Sequence, residues 1–168
     1  MNFHPGDQVV HWTYGLGEII ELDEKKLLGK TEQYYVVQIN DLTLWVPVTS
    51  EGESSLRFPT PAAEFDQYIS MLKATPEPLE EDRLQRKNQL SSLLKDGSLA
   101  SVCKVVRDMA FHLQSKKGND HDFATLERAL NLLIEEWSAS QSIPLSAARQ
   151  ELGAVLGEEI FHAKPSSR

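Results

Sequence analysis

Two different apolar periods divide the chain. Up to about residue 58 the apolar positions alternate: QVVHWT, GEIIEL, QYYVVQI and LTLWVPV are short and rich in β-branched and aromatic residues, and Gly, Asp or charged turns separate them. That pattern predicts strands. In EQYYVVQIN, Tyr35, Val37 and Ile39 share one face while Tyr34, Val36 and Gln38 share the other, so at least one side is apolar. Four or five such strands predict a small barrel or a strongly bent sheet, because a short flat sheet leaves its edges open.

The segment FPTPAAEF marks a boundary: Pro59 and Pro61 cannot continue a ladder, and Thr60 is placed to cap a helix opening at Pro61. Beyond it the period becomes helical. Phe65, Tyr68, Ile69 and Leu72 form one stripe; Leu90, Leu93 and Leu94 form a second, stopped by Gly97. Ser98 is placed to cap a third helix with Leu99, Val102, Val105, Val106, Met109, Ala110 and Leu113 on its apolar side. KKGNDHD ends that helix, with Asp122 read as a cap at the next entrance. FATLERALNLLIEEWSAS carries Leu126, Leu130, Leu133, Ile134 and Trp137, and a last helix follows Pro144. The reading is α+β in two domains: strands over 1–60, an all-α bundle of about five helices over 61–163, and a disordered tail at 164–168.

Charge changes the picture next. The chain of 168 residues carries a net −8, which argues against wholesale nucleic-acid binding. The average conceals an asymmetry. Residues 1–61 hold four basic residues, Lys25, Lys26, Lys30 and Arg57, against nine acids, whereas 83–117 hold eight against two. Arg83, Arg86 and Lys87 fall at i, i+3, i+4, so one helical face would present three cations, either as an ordinary solvated surface or as a phosphate-contacting one.

Candidate chemistry is sparse. Gly15 and Gly17 in GLGEII lack the third glycine of a dinucleotide fingerprint, lack Gly-Lys-Ser/Thr, and lead into a strand, so they are read as turn or close-approach residues. His4, His11, His112, His121 and His162 are scattered without ligand spacing, and no nucleophile elbow is present. No catalytic residue, metal or cofactor is expected, and no small-molecule ligand. Cys103, alone, reads as a small apolar helix residue. No apolar run approaches a membrane span and MNFHPGDQ lacks signal-peptide character, so a cytoplasmic protein without membrane partners is expected. Trp45 lies opposite Leu44 and Val46 in strand alternation. It points outward as an interface anchor if the core lies beneath those two, or is partly buried in a two-sided barrel.

The order Phe3, Gly6-Asp7, Val9-Val10, Tyr14-Gly15, Gly17, Ile19, Gly29, Tyr34-Tyr35, Val46-Pro47-Val48 and Leu56-Arg57 resembles the N-terminal domain of the CarD/CdnL family of bacterial transcription regulators, a domain shared with the transcription-repair coupling factor. RKNQLSSLLKDGSLASVCKVVRDM and LERALNLLIEEWSAS extend the resemblance over nearly the whole chain. It implies an SH3/Tudor-like barrel that binds the RNA polymerase β subunit, here through Lys25, Tyr34, Trp45 and Arg57. It also implies a helical domain that contacts promoter DNA weakly and without sequence preference through Arg83, Arg86, Lys87, Lys104 and Lys116, modulating open-complex stability. Two departures accompany it: an acid, Asp82 or a neighbour, stands where members commonly carry a wedge tryptophan, and Trp45 stands where they often carry arginine. The alternative function is a protein-interaction adaptor that uses the barrel and does not bind DNA.

Overall fold

The computed structural model describes residues 2–49 and 54–164. The chain divides into two compact units, Met1–Pro59 and Thr60–Arg168.

The first unit is a five-stranded antiparallel sheet of β1 (Gln8–His11), β2 (Gly15–Leu27), β3 (Lys30–Ile39), β4 (Leu42–Pro47) and β5 (Leu56–Arg57). Their order is β4-β3-β2-β1-β5. A closed barrel was expected; among the described residues the ladder is open, with β4 and β5 at its edges. β5 has two residues, both paired to β1, and so offers too little backbone to bridge to β4. Phe3, Val9, Ile19, Tyr35, Val37, Ile39, Val46 and Leu56 form the core, with Leu44 and Val48 packed against it. This is the inward set that alternation selects in β3 and β4.

The glycines of GLGEII have separate tasks. Gly15 takes φ +87° where the β1–β2 connection enters β2, a conformation that side chains resist. Gly17 lies where β2 and β3 come close: a Cβ there would collide with the Ile39 side chain and stand 2.7 Å from the Gln38 carbonyl oxygen. Two positions on, the register slips between Ile19 and Glu21, a bulge that leaves Ile20 outside the ladder. The β1–β2 turn is held by His11, whose Nδ1 accepts the N–H groups of Thr13 (3.0 Å) and Tyr14 (3.3 Å).

The second unit contains α1 (Phe65–Lys73), α2 (Arg83–Leu94), α3 (Leu99–Ser115), α4 (Asp120–Gln141) and α5 (Leu145–Leu156), with single 3-10 turns at Ala62–Glu64 and Glu158–His162. The apolar stripes of α3 and α4 meet in its core, from Leu99 to Met109 and from Leu126 to Trp137. Trp137 meets Phe65 edge-on at 4.9 Å and donates to Glu151 at 2.7 Å, so its polar end is satisfied. Ser98 caps α3 through the Ser101 N–H, and Asn119 and Asp122 form a reciprocal capping box on α4.

Thr60 does not cap the helix after the boundary. Its N–H and hydroxyl both donate to Glu136 Oε1, at 2.9 and 2.8 Å, because a carboxylate buried on α4 requires donors. Asp82 instead has a capping role, accepting the Leu84 and Gln85 N–H groups at the start of α2. That assigns a local structural task to the acid that stands in place of an expected tryptophan.

The largest correction concerns Arg86. It is 3% exposed and lies off the open face of α2. Its Nε and Nη2 grip both carboxylate oxygens of Asp122, at 2.9 and 2.8 Å, and its Nη1 donates to the Glu80 and Glu81 carbonyls. Burial pushes the Asp122 carboxyl up, but hydrogen bonds from Arg86 and the Asn119 N–H, with the Arg86 charge, outweigh it and hold the group below the usual carboxylate range.

Two expectations follow. Arg86→Ala leaves the Asp122 charge buried without a partner and lowers the stability of the helical unit by about 3–5 kcal/mol, whereas Lys87→Ala stays within about 0.5 kcal/mol, both read by chemical denaturation. Burial lowers the His11 pKa from 6.5. The unfolded chain therefore takes up this proton before the native sheet does. Stability from neutral His11 is complete above pH 6.5 and falls as pH drops below it, so the resistance of the first unit to chemical denaturation should fall on acidification, less so in His11→Asn.

Candidate functional site: a strand face and a helical cation lane

On the outer face of the sheet, register sets side chains from three strands beside one another. Tyr34 stands opposite both Pro47 and Asp23, Val36 opposite Trp45 and Glu21, and Lys25 opposite Glu32. Because Leu44, Val46 and Val48 face the core, Trp45 points outward and is 45% exposed. Its indole N–H donates to Asp23 Oδ2 at 3.2 Å, and the Lys25 ammonium lies 4.2 Å from its ring centroid. A cation over an exposed indole is worth about 0.5–1 kcal/mol, enough to bias Lys25 toward the ring and to keep the ring in place. Lys25 is also 5.9 Å from the Tyr34 ring, and the Tyr34 hydroxyl donates to Glu32 at 2.8 Å. That hydrogen bond raises the Tyr34 pKa, with lesser contributions from burial and from the Glu32 charge.

The sheet therefore gathers Lys25, Tyr34 and Trp45 into one platform beside the β4 edge. It separates them from Arg57, which lies on β5 at the opposite edge and donates to the Phe58 carbonyl. Asp23 is the platform member that residue-type reasoning missed; only the β2–β3 register reveals it. Edge strand β4 adds backbone groups that a partner strand can pair with.

The basic region is smaller than its sequence count. Arg86 is internal, and so is Arg107, which pairs with Asp108 at 2.8 Å while Asp108 also accepts the Glu77 N–H at 2.9 Å. Lys116 binds Glu81 at 2.8 Å on the surface. Lys104 is half-buried on α3 and contributes to lowering the Asp96 pKa. Burial raises that pKa, but the N–H and hydroxyl donors of Ser98 and Ser101 and then the Lys104 charge outweigh it. Arg83 and Lys87 remain exposed together on α2, and the i+4 series through them continues to Ser91 and Lys95, both exposed. α2 contains no acidic residue. Its lane from Arg83 to Lys95 is about 18 Å long. Lys95 lies on that same i+4 series in the sequence.

Among the described residues no group of three His, Cys, Asp or Glu side chains could hold a metal ion. Cys103 is buried, and burial, aided by the Glu136 charge, pushes its thiol up to about 12. No helix among the described residues is long and apolar enough to cross a membrane.

Residues 3–57 match the CarD-like/TRCF RID domain, the polymerase-interacting type, and residues 67–153 match the CarD C-terminal domain. The chain is 27% identical over 147 residues to the Bacillus subtilis protein named "Putative transcription factor YdeB", covering 84% of this chain and 94% of that protein. With an RNA polymerase-interacting domain followed by the family's own C-terminal domain, the chain belongs to the CarD-like family of transcription factors.

Proposed function

We propose that this protein modulates open promoter complexes in the bacterial cytoplasm by holding the RNA polymerase β subunit and promoter DNA at once. The strand unit docks on β through the Trp45 platform and the neighbouring β4 edge. The helical unit lays the Arg83–Lys95 lane along the phosphate backbone. The observation that carries this reading is the lane itself: an acid-free helix that exposes Arg83 and Lys87 one turn apart, with Lys95 exposed at its C-cap, in a chain of net charge −8.

The mechanism is a population shift. A protein that contacts polymerase and opened DNA together favours the open complex only by its greater affinity for that state. A few phosphate contacts give weak binding by themselves, but tethering through the strand unit raises the effective concentration of the lane at the DNA. The lane provides no base-edge reading, so the contact is sequence-independent. Arg57 stands on the opposite edge strand, so docking through the platform does not depend on it.

Two measurements test the halves separately. Trp45→Ala should weaken binding of the full chain to polymerase by at least about tenfold, as loss of an interface anchor does. Unchanged affinity removes the docking half. Charge reversal at Arg83 and Lys87 should leave polymerase affinity intact, weaken association with promoter DNA in the polymerase complex, and lower the log-log salt slope by about 2, one unit per lost phosphate contact. DNA association that ignores both salt and charge reversal would leave an adaptor in place of a DNA-contacting factor.

A further inference from the structure

The turn from β1 into β2 presents two large aromatic side chains to solvent, Trp12 at 41% and Tyr14 at 47% exposure. It lies at the start of β2, on the β1–β5 side of the sheet, whereas Asp23 and Lys25 of the platform lie towards the other end of β2 and Trp45 is on β4. The backbone of the turn is fixed. His11 Nδ1 holds the N–H groups of Thr13 and Tyr14, and the Trp12 N–H donates to the Ser55 carbonyl at 3.2 Å. His11 itself stands opposite Leu56, a core residue, so the imidazole roots the turn in the sheet.

Both exposed rings lean on His11. Trp12 stacks along the imidazole with centroids 6.1 Å apart, and Tyr14 tilts against it at 5.1 Å. The three rings make a shelf that reaches no further than those two distances end to end, a span that fits one turn of a polyproline II helix, about 9 Å. Their polar ends are open. Trp45 and Trp137 donate their indole N–H groups to carboxylates, but among the described residues neither the Trp12 indole N–H nor the Tyr14 hydroxyl has a partner. The shelf thus offers apolar ring faces edged by two groups that can donate hydrogen bonds. The charge around it is acidic in balance. Of the four basic residues in 1–61, Lys25, Lys26 and Lys30 lie ten or more residues beyond Gly15, and Arg57 stands opposite Val10, on the other face of the sheet from His11 and Leu56.

We infer that the Trp12-His11-Tyr14 shelf binds a proline-rich segment of a protein partner in the polyproline II conformation, flanked by basic residues. Such a segment has no N–H at its prolines and no internal hydrogen bonds, so it presents free carbonyl acceptors where the shelf presents donors. Its pyrrolidine rings pack on the aromatic faces. The turn and the segment are both ordered before they meet, so little conformational entropy is lost. An unpaired base could also stack on these rings, but its phosphates would meet a domain in which nine acids face four basic residues, which favours a basic peptide. The site is separate from the platform and does not depend on polymerase docking.

The test titrates the full chain with three fluorescein-labelled probes: a ten-proline peptide ending in two arginines, a glycine-serine peptide of equal length with the same arginines, and an oligothymidylate. The proline peptide should bind saturably and at least about tenfold more tightly than the glycine-serine peptide. Trp12→Ala should weaken its binding by about tenfold or more. Tyr14→Phe keeps the ring and removes only the hydroxyl, and should weaken binding by about threefold to tenfold at an unchanged melting temperature. Phe111→Ala, which removes a comparably exposed aromatic from the helical unit, should leave it unchanged. Two glutamates in place of the arginines should weaken the peptide, with the difference shrinking at high salt. Equal affinity for the two arginine peptides, wild-type binding by both Trp12→Ala and Tyr14→Phe, or the same loss in Phe111→Ala would overturn the inference. Equal affinity of the glutamate peptide would overturn the basic flank. Loss of oligothymidylate binding in Trp12→Ala, with peptide binding intact, would assign the shelf to nucleic acid and contradict the inference.

Discussion

The Arg86 guanidinium directs its hydrogen bonds inside the protein, and the placement of the helical cations depends on it. Its bidentate grip on Asp122 ties the first turn of α2 to the capping box of α4, and its remaining donors hold the Glu80 and Glu81 carbonyls of the incoming chain. Charges this deeply buried are costly unless they are paired and hydrogen-bonded. The rotation of α2 about its axis is fixed as a result. With Arg86 turned inward and Leu90 one turn on in the core, Lys87, Ser91 and Lys95 lie about 100–180° around the helix and face solvent, while Arg83, the first residue of α2, is exposed at the helix end. The outward direction of Lys87 and Lys95 is therefore a consequence of the internal ion pair.

The strand unit works from a different constraint. The close approach of β2 and β3 at Gly17, followed by the bulge at Ile20, sets the register that carries Asp23 and Lys25 across from Tyr34 and Glu32. Alternation then turns Trp45 outward between them. Asp23 on the indole N–H and Lys25 over the ring restrict a side chain that would otherwise sample several rotamers, so less conformational entropy remains to be lost on binding. Lys25 acts here as part of the platform's scaffold as much as a contact in its own right.

Much of this was legible from residue patterns. Alternation in QYYVVQI and LTLWVPV identifies the inward face and, with it, the outward Trp45; the helical stripes identify α1 to α5 and the cap at Ser98. What pattern could not show is pairing across long separations. Arg86 and Asp122 are 36 positions apart, Thr60 and Glu136 are 76, and in each case a polar group that looks free in sequence is matched in space. The i, i+3, i+4 spacing of Arg83, Arg86 and Lys87 describes one face correctly only when nothing beside the helix competes for one of them. Likewise, strand count suggests closure of the sheet, but closure depends on how much backbone the last strand offers, and β5 has two residues.

The central claim is a division of labour: the strand unit holds polymerase while the α2 lane lies on DNA. Cys103 is buried with its thiol pushed up to about 12, so an introduced surface cysteine can be labelled selectively. The most direct measurement attaches a DNA- and protein-cleaving iron chelate to Lys87→Cys or to Thr43→Cys, beside Trp45, and maps cleavage in a complex of the full chain, polymerase and promoter DNA. The account predicts promoter-strand cleavage from position 87 and β-subunit cleavage from position 43. Cleavage of β from position 87 with no cut in the DNA would contradict it.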